Sequence, residues 1–267
     1  MSEHKIHIKK LKTEIDAQGN VHYTSPDGKL DFNELINKEV RFRFEGEINC
    51  VVCGRKTKKT FGEGLCFPCF RDAPQNAPCI LKPELCEGHL GKGRDPEWEK
   101  EHHVQPHIVY LAQTDRIKVG VTRQTQVPTR WIDQGAWKVI RLAEVPYRQL
   151  AGKIEVFLKD HFTDKTNWRN MLKNHLDDNF DLVNQKNKAA ELLPDELREY
   201  VATDDRILKI NYPVAAYPTK ITTLNFDKHP EFTAILKGIK GQYLLFDHDR
   251  VLNFRKHSGY HVLMEWE

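Results

Sequence analysis

The cysteines of this chain lie in one short stretch, and their spacing is that of a metal site. All six fall between Cys50 and Cys86, and the first four form two Cys-x-x-Cys pairs, Cys50 with Cys53 and Cys66 with Cys69. Each pair turns two thiolates toward one ion, and the intervening loop lets the second pair approach from the opposite side. The spacing therefore predicts a structural zinc ion bound by four cysteines.

Two more cysteines and several histidines follow this motif. Glycines and prolines separate them, so the chain can bend back on itself. Two thiolates and two imidazoles complete a tetrahedral site, so we expect a second structural zinc ion and about two per chain. The predicted ligands are Cys79, Cys86, His89 and His103, with His102 and His107 as alternatives for the fourth position.

Other interpretations of these residues stay open at this stage. The first four cysteines could form two disulfides, and Cys79 and Cys86 could be small buried apolar residues with the histidines at the surface. The metal interpretation is favoured because the first residues contain no apolar signal segment and the cysteines are paired at metal-ligand spacing. We therefore expect reduced cysteines and a cytoplasmic location.

The composition is that of a globular chain. It has 267 residues, 39% hydrophobic and 30% charged, with a formal net charge of +3. This mild basicity permits a nucleic-acid partner without arguing for one. We expect no membrane partner, because no run of about 18 apolar residues occurs. Phosphate-binding loops of the Walker type, the dinucleotide glycine fingerprint and the hydrolase nucleophile elbow are also missing from the sequence.

The hydrophobic pattern predicts an α+β chain with four regions. Residues 1–49 and 206–267 contain short alternating strands, and we expect them to pair into one β-barrel or sandwich, because neither set alone can protect its edges. Residues 50–106 have little periodicity, so bound metal, contributing about 10 to 16 kcal/mol per zinc in peptides, would supply their stability. Residues 107–205 form the fourth region.

The sequence pattern of residues 107–205 predicts a hairpin, a short helix after Pro128, a third strand and an amphipathic helix. That amphipathic helix runs from about Pro146 to Phe162. Its buried stripe is expected to contain Leu150, Ile154, Phe157 and Leu158.

Four positions in this region resemble a known enzyme superfamily. The order strand, turn, strand, helix, strand, helix, with Tyr110, then Lys118-Val-Gly120, then Arg130 and Glu155, resembles the GIY-YIG nucleases over about residues 107–175. The resemblance implies a three-stranded antiparallel sheet with helices. The whole chain, including the strings FGEGLCFPCF and RWIDQGAW, is also similar to a bacterial domain family of unknown function.

The GIY-YIG resemblance implies a role for each of these residues. Tyr110 would act as general base or position the attacking water, Arg130 would steady the phosphate, and Glu155 would hold Mg2+ or Mn2+. Lys118 stands where the superfamily often has its second tyrosine and would be a phosphate-side cation. Ile108 replaces the glycine of the first motif, and Asn167 is the candidate for the late asparagine.

Each of these residues also has a purely structural interpretation. Tyr110 could be a half-buried strand residue, Arg130 could pair with an acidic neighbour, and Glu155 could pair with Lys159 on the helix surface. Two functions follow. One is a zinc-stabilised, divalent-metal-dependent nuclease acting on DNA or RNA. The other is a non-catalytic zinc-containing protein that binds DNA, RNA or a ribonucleoprotein.

Overall fold

The computed structural model describes residues 2–162, 166–176 and 180–267. The chain is a mixed α+β protein that divides into two compact units. The first unit contains the residues up to Arg71, a short segment at Leu172–Asn174, and Ile210–Glu267. The second unit contains Asp72–Met171 and His175–Lys209.

The regular elements are numbered along the chain. The strands are β1 (Ser2–His7), β2 (Lys12–Ile15), β3 (Val21–Thr24), β4 (Glu39–Ile48), β5 (His107–Gln113), β6 (Ile117–Arg123), β7 (Lys138–Val145), β8 (Ile207–Lys209), β9 (Thr222–Leu224), β10 (Glu231–Lys240), β11 (Tyr243–Phe246), β12 (Arg250–Asn253) and β13 (Tyr260–Trp266). The helices are α1 (Phe67–Asp72), α2 (Pro96–His103), α3 (Thr129–Asp133), α4 (Arg148–Leu158), α5 (Trp168–Leu172), α6 (Leu182–Leu192) and α7 (Asp195–Arg198).

The first unit is built on a seven-stranded sheet that contains strands from both ends of the chain. Its order is β1-β13-β4-β10-β11-β12-β9, and β4 lies between β13 and β10 in antiparallel pairing. The sequence of β4 alternates, so Val40 and Phe42 are buried while Arg41 and Arg43 face solvent. Arg41 forms an ion pair with Glu231 of β10.

The closed barrel predicted as one alternative is not formed. Among the described residues, β1 and β9 end the strand order, so the sheet stays open. The reason lies in β9, which is only three residues long and pairs in parallel with β12, so it offers too short an edge for closure. The hairpin of β2 and β3 forms a separate two-stranded sheet.

The second unit is built on an antiparallel sheet with the order β6-β5-β7-β8. The first three strands are those predicted, and β8 adds a fourth at the edge of β7. One face of the sheet packs against α4 and α6. The buried stripe of α4 differs from the predicted one: Phe157 is 45% exposed, while Ala151 lies at the core together with Ile154 and Leu158.

The predicted zinc segment, residues 50–106, is divided between the two units. The first four cysteines belong to the first unit, and the residues from Asp72 onward belong to the second. Short 3-10 turns at Pro78–Ile80, Pro83–Leu85 and Gly88–Leu90 carry the chain of the second unit toward α2. A membrane-crossing helix is absent from the described ranges, since none of their helices combines the required length with enough apolar character.

Candidate functional site

The first four cysteines come together at the end of β4. Cys50 and Cys53 form a tight turn in which the Gly54 N–H donates to the Cys50 carbonyl at 2.9 Å, and Gly54 has the left-handed φ of 70°. The second pair brackets the start of α1, where the Phe70 N–H donates to the carbonyl of Cys66 at 2.8 Å. All six cysteines of the chain are free, so the disulfide interpretation is wrong.

The geometry of this cluster suits one tetrahedral ion. Its four sulfurs lie within 4.8 Å of one another, and the Cys53 and Cys66 sulfurs are 3.7 Å apart. Sulfurs that surround an ion at about 2.3 Å lie roughly 3.8 Å from each other at tetrahedral corners. The four residues Cys50, Cys53, Cys66 and Cys69 can therefore hold zinc without rearrangement of the backbone.

The backbone around Cys50 favours its thiolate form. Burial by itself would raise the pKa of Cys50, but the backbone N–H groups of Cys53, Cys66 and Val52 donate to its sulfur and lower that pKa to about 6. Burial, together with hydrogen bonds among the four thiols, raises the pKa of Cys69 to about 12. The thiols therefore share protons in the absence of an ion, and a bound cation would replace those protons.

The remaining two cysteines form a second cluster with two residues of α2. Cys79 lies in the first 3-10 turn, Cys86 follows the second, and Glu99 and His103 are four residues apart on one face of the helix. Their ligand atoms lie within 4.8 Å of one another. The Nδ1 atom of His103 is 3.4 Å from the Cys86 sulfur and 3.9 Å from the Cys79 sulfur, and it also contacts the Glu99 carboxylate.

The structure places Glu99 in this cluster and leaves the predicted ligand His89 outside it. The His89 ring stacks on Tyr147, with the ring centroids 4.3 Å apart and the planes within 5°. This stack holds the His89 ring on Tyr147 and so away from the cysteines. Gly88, the residue before it, lies beside α2, where an added Cβ would be in ordinary contact, at 3.4 Å, with the Cβ atoms of Glu99 and His103.

The two histidines considered as alternatives also lie outside the cluster. The Nδ1 atom of His102 is 3.0 Å from the Trp98 carbonyl oxygen, and its ring stacks on the Trp98 indole. His107 begins β5, with its Nδ1 atom 2.7 Å from the Gln105 carbonyl oxygen. Three of the four predicted ligands, Cys79, Cys86 and His103, are thus brought together.

The second cluster is buried and strongly favours one thiolate. A hydrogen bond from the Cys79 thiol lowers the pKa of Cys86, and the His103 side chain and the Gly88 N–H act in the same direction against the opposing effect of burial, so that this pKa falls to about 4. The pKa of Cys79 is raised, because its proton is held in the same hydrogen bond and its thiol is buried. Zinc, a metal ion of borderline softness, accepts two sulfurs, one imidazole and one carboxylate as its four ligands.

The residues singled out by the GIY-YIG resemblance lie elsewhere in the second unit. Tyr110 in β5 is paired directly with Gly120 in β6, and a Cβ at Gly120 would lie only 2.6 Å from the Tyr110 hydroxyl oxygen. Glycine is therefore required opposite the tyrosine. Lys118, two residues before Gly120 and on the same face of β6, is 8% exposed.

The Tyr110 hydroxyl is enclosed by residues of α3 and its C-terminal end. The Gln134 amide donates to it, and the Arg130 side chain also donates to it. The Trp131 ring lies edge-on to Tyr110, with centroids 5.8 Å apart, and Tyr110 is only 1% exposed. Gln134 was not predicted. Its amide also donates to the Arg130 carbonyl, four residues earlier, at 2.9 Å, a contact typical of a helix end.

Electrostatic effects connect Tyr110 with both of the charged residues predicted to act with it. Burial raises the pKa of Tyr110, the positive charge of Arg130 and the two donated hydrogen bonds oppose that rise, and the negative charge of Glu155 adds to it. Arg130 is exposed, and Glu155 is partly exposed on α4. Asn167 has a local role: its side-chain oxygen accepts from the backbone N–H groups of Arg169 and Asn170 at the start of α5.

The fold and these sites define a mixed α+β protein with two candidate metal centres. Residues 37–262 match the family described as Protein of unknown function (DUF2797), and the chain belongs to that family. No curated protein and no solved structure matches the chain.

Proposed function

We propose that this protein is a zinc-stabilised, nucleic-acid-interacting protein whose Tyr110 site is a divalent-metal-dependent phosphodiesterase centre of the GIY-YIG type. The observation that carries this proposal is the hydrogen bonding of one tyrosine hydroxyl by both Arg130 and Gln134, at a point where Gly120 leaves the necessary space.

Phosphodiester hydrolysis needs a positioned nucleophile and a cation against the developing negative charge. Because the pKa of Tyr110 is raised, its side chain is a neutral phenol near pH 7, so its role is to hold the attacking water by a hydrogen bond. Arg130 is exposed and contacts the same hydroxyl, so its guanidinium can meet a phosphate oxygen at that point. Lys118 supplies a second cation on the same face of the hairpin.

Glu155 is the residue that would hold the divalent ion. A single carboxylate suits Mg2+ or Mn2+, which keep several water ligands and leave room for a phosphate oxygen. Such an ion supplies Lewis-acid stabilisation of the phosphate when it is bound. The order β5, β6, α3, β7, α4 is also the order that the GIY-YIG resemblance predicts, which supports the proposal as an analogy of fold.

The two cysteine clusters serve as structural centres in this proposal. Four thiolates, or two thiolates with an imidazole and a carboxylate, fill all four positions of a tetrahedral ion and leave none open for a substrate. Zinc is the ion proposed for both, because it accepts sulfur, nitrogen and oxygen ligands in this geometry. The protein would then carry about two zinc ions.

The test is a nicking assay on labelled DNA and RNA with Mg2+ or Mn2+. We expect cleavage by the wild-type protein and a loss of about 100-fold or more in Glu155→Gln and Arg130→Ala, as is typical when a charged transition-state contact is removed. Glu191→Gln is the matched control, because Glu191 is an exposed glutamate on α6. Cleavage that is unchanged in both site variants would remove the nuclease assignment.

The burial of Tyr110 favours a second candidate function, non-catalytic binding of DNA, RNA or a ribonucleoprotein. A hydroxyl that is enclosed by Trp131 and Gln134 can support the fold without touching a substrate. In that case labelled nucleic acid should bind with a clear salt dependence and without cleavage, and Glu155→Gln should leave the affinity unchanged.

A further inference from the structure

Helix α4 begins on the loop that carries the second metal cluster. Arg148, the first residue of α4, donates from Nε to the Cys79 carbonyl at 3.0 Å and from Nη2 to the Ile80 carbonyl at 2.9 Å. The planar guanidinium therefore donates hydrogen bonds to two successive carbonyls of the loop at once. The loop and the helix are held in a defined relative position as long as the loop itself is ordered.

Two more contacts join the same loop to the first turns of α4. Gly152 lies directly against the backbone of Pro83 and Glu84, and an added Cβ would be 2.8 Å from the Glu84 Cα and closer still to its nitrogen. Tyr147, which caps the start of the helix, carries the stacked ring of His89. The loop thus touches α4 at its cap, at its first residue and one turn further on.

The positive charge of Arg148 can also compensate the negative charge of the second cluster. Two thiolates and one carboxylate around a divalent ion leave a net negative charge, and a buried net charge is costly unless a partner compensates it. Burial lowers the pKa of Arg148, and the negative charges of Cys79, Cys86 and Glu155 oppose that lowering. The guanidinium is therefore close enough to respond to the cluster on one side and to Glu155 on the other.

We propose that the ion of the second cluster fixes the start of α4 through Arg148, Gly152 and the His89–Tyr147 stack, and in this way positions Glu155. Glu155 lies three residues beyond Gly152, nearly one helical turn. Arg148 is a positioning residue in this proposal, because it acts through the loop and the helix. The claim about α4 rests on these contacts and on the proposed zinc ion of the second cluster, and only the claim about Glu155 rests on the proposed nuclease centre.

Hydrogen exchange on the full-length, zinc-loaded protein tests the proposal. We compare Cys86→Ser, which disables the second cluster, with the matched control Cys69→Ser, which disables the first. Each variant should lose about one zinc ion. Amide exchange in Arg148–Leu158 should become at least about tenfold faster in Cys86→Ser and stay at the wild-type rate in Cys69→Ser. Equal exchange of α4 in both variants would overturn the proposal.

Substitutions at Arg148 give a second test that does not depend on removing a ligand. Arg148→Met should weaken zinc retention at the second cluster by about 10- to 100-fold, which is the usual effect of losing a group that supports metal ligands. It should also shift the thiolate charge-transfer band of the Co2+-substituted protein. Arg148→Lys should restore part of the affinity, because lysine keeps the charge but not the two-pronged contact.

The control for this series is Arg169→Met, which removes an arginine from α5. Wild-type zinc affinity and wild-type exchange of α4 in Arg148→Met would contradict the proposal, whether or not Cys86→Ser folds. Neither measurement uses nucleic-acid cleavage. A wild-type protein without nuclease activity would therefore remove the nuclease assignment and leave the claim about α4 intact.

Discussion

The environment of His107 favours the neutral form of its imidazole. The residue begins β5 fully buried, its Nδ1 atom is 2.7 Å from the Gln105 carbonyl oxygen, and its Nε2 atom has no hydrogen-bond partner among the described residues. Burial lowers the pKa of His107 to about 4, and the positive charge of Arg148 acts in the same direction. Protonation of this ring therefore opposes folding.

This environment predicts an acid-sensitive contribution to stability. The folded pKa lies below the unfolded value of about 6.5, so the contribution is complete above pH 6.5 and is lost as the pH falls toward about 4. The full loss is roughly 3 kcal/mol, from the difference between the unfolded pKa of about 6.5 and the folded pKa of about 4. Urea unfolding between pH 7 and pH 4 in excess zinc should show a shallower pH dependence for His107→Gln.

His229→Gln is the control for that measurement, because His229 is exposed. It should follow the wild-type pH dependence. Identical curves for the wild type and His107→Gln would show that the buried imidazole does not carry the effect.

The second cluster offers a direct comparison of two residues. Glu99→Ala should weaken zinc retention by about tenfold or more, because it removes a group that lies within ligand distance of both sulfurs. His89→Phe should retain zinc, because phenylalanine keeps the stack on Tyr147. A chromophoric chelator competing for zinc measures both. The opposite ranking would return His89 to the ligand set.

These residues also show what single-residue patterns reveal. The Cys-x-x-Cys spacing identified the first cluster, because such a turn is a local feature. The second cluster was predicted from the number of cysteines and histidines that follow, which gave Cys79, Cys86 and His103 but not the fourth residue. The choice of Glu99 over His89 could not be made from the sequence, because a glutamate four residues before a histidine is also an ordinary surface pair. Which face of α2 turns toward the cysteines depends on tertiary contacts, among them that of Gly88 with Glu99 and His103, which a local sequence pattern does not show.

At the scale of elements, the sign of the stability change in Gly152→Ala tests whether α4 packs against the loop at Pro83 and Glu84. In an isolated helix, Gly152→Ala would stabilise by about 1 kcal/mol through helix propensity. Here the added Cβ would collide with the backbone at Pro83 and Glu84, so we expect a net loss of about 1 to 3 kcal/mol, typical of overpacking. Urea unfolding with zinc bound measures the change.

The matched control for this substitution is Lys153→Ala, at the neighbouring exposed position of α4. It should change stability by less than about 0.5 kcal/mol. A more stable Gly152→Ala protein would mean that the loop does not rest on the helix.

The elements themselves were largely predictable. The hairpin of β5 and β6, the short α3 after Pro128 and the amphipathic α4 follow from alternation, turn residues and helical periodicity. The buried face of α4 was less predictable: Phe157 was expected inside but is exposed, and the small Ala151 and Gly152 face the sheet and the loop instead. Small residues are favoured where two backbones approach closely. A prediction from hydrophobic periodicity places large apolar residues on the buried face and does not identify such contacts.

At the scale of the whole molecule, one stretch of sequence supplies a candidate metal cluster to each of two units. Cys50, Cys53, Cys66 and Cys69 follow β4 in the first unit, and the second cluster lies in the other unit, as α4 does. The sequence showed one continuous segment without periodicity, and nothing local marks the division after Arg71. That division depends on which distant strands and helices each cluster packs against, so it could be seen only in the folded chain.

Metal content tests the central claim most directly, namely that two bound ions organise the middle of this chain. Elemental analysis of the purified full-length protein should find about two zinc ions per chain, with about one in Cys69→Ser and about one in Cys86→Ser. Chelation should lower the thermal stability in two separable steps. A protein that contains no metal, and whose stability does not change with chelator, would contradict the claim.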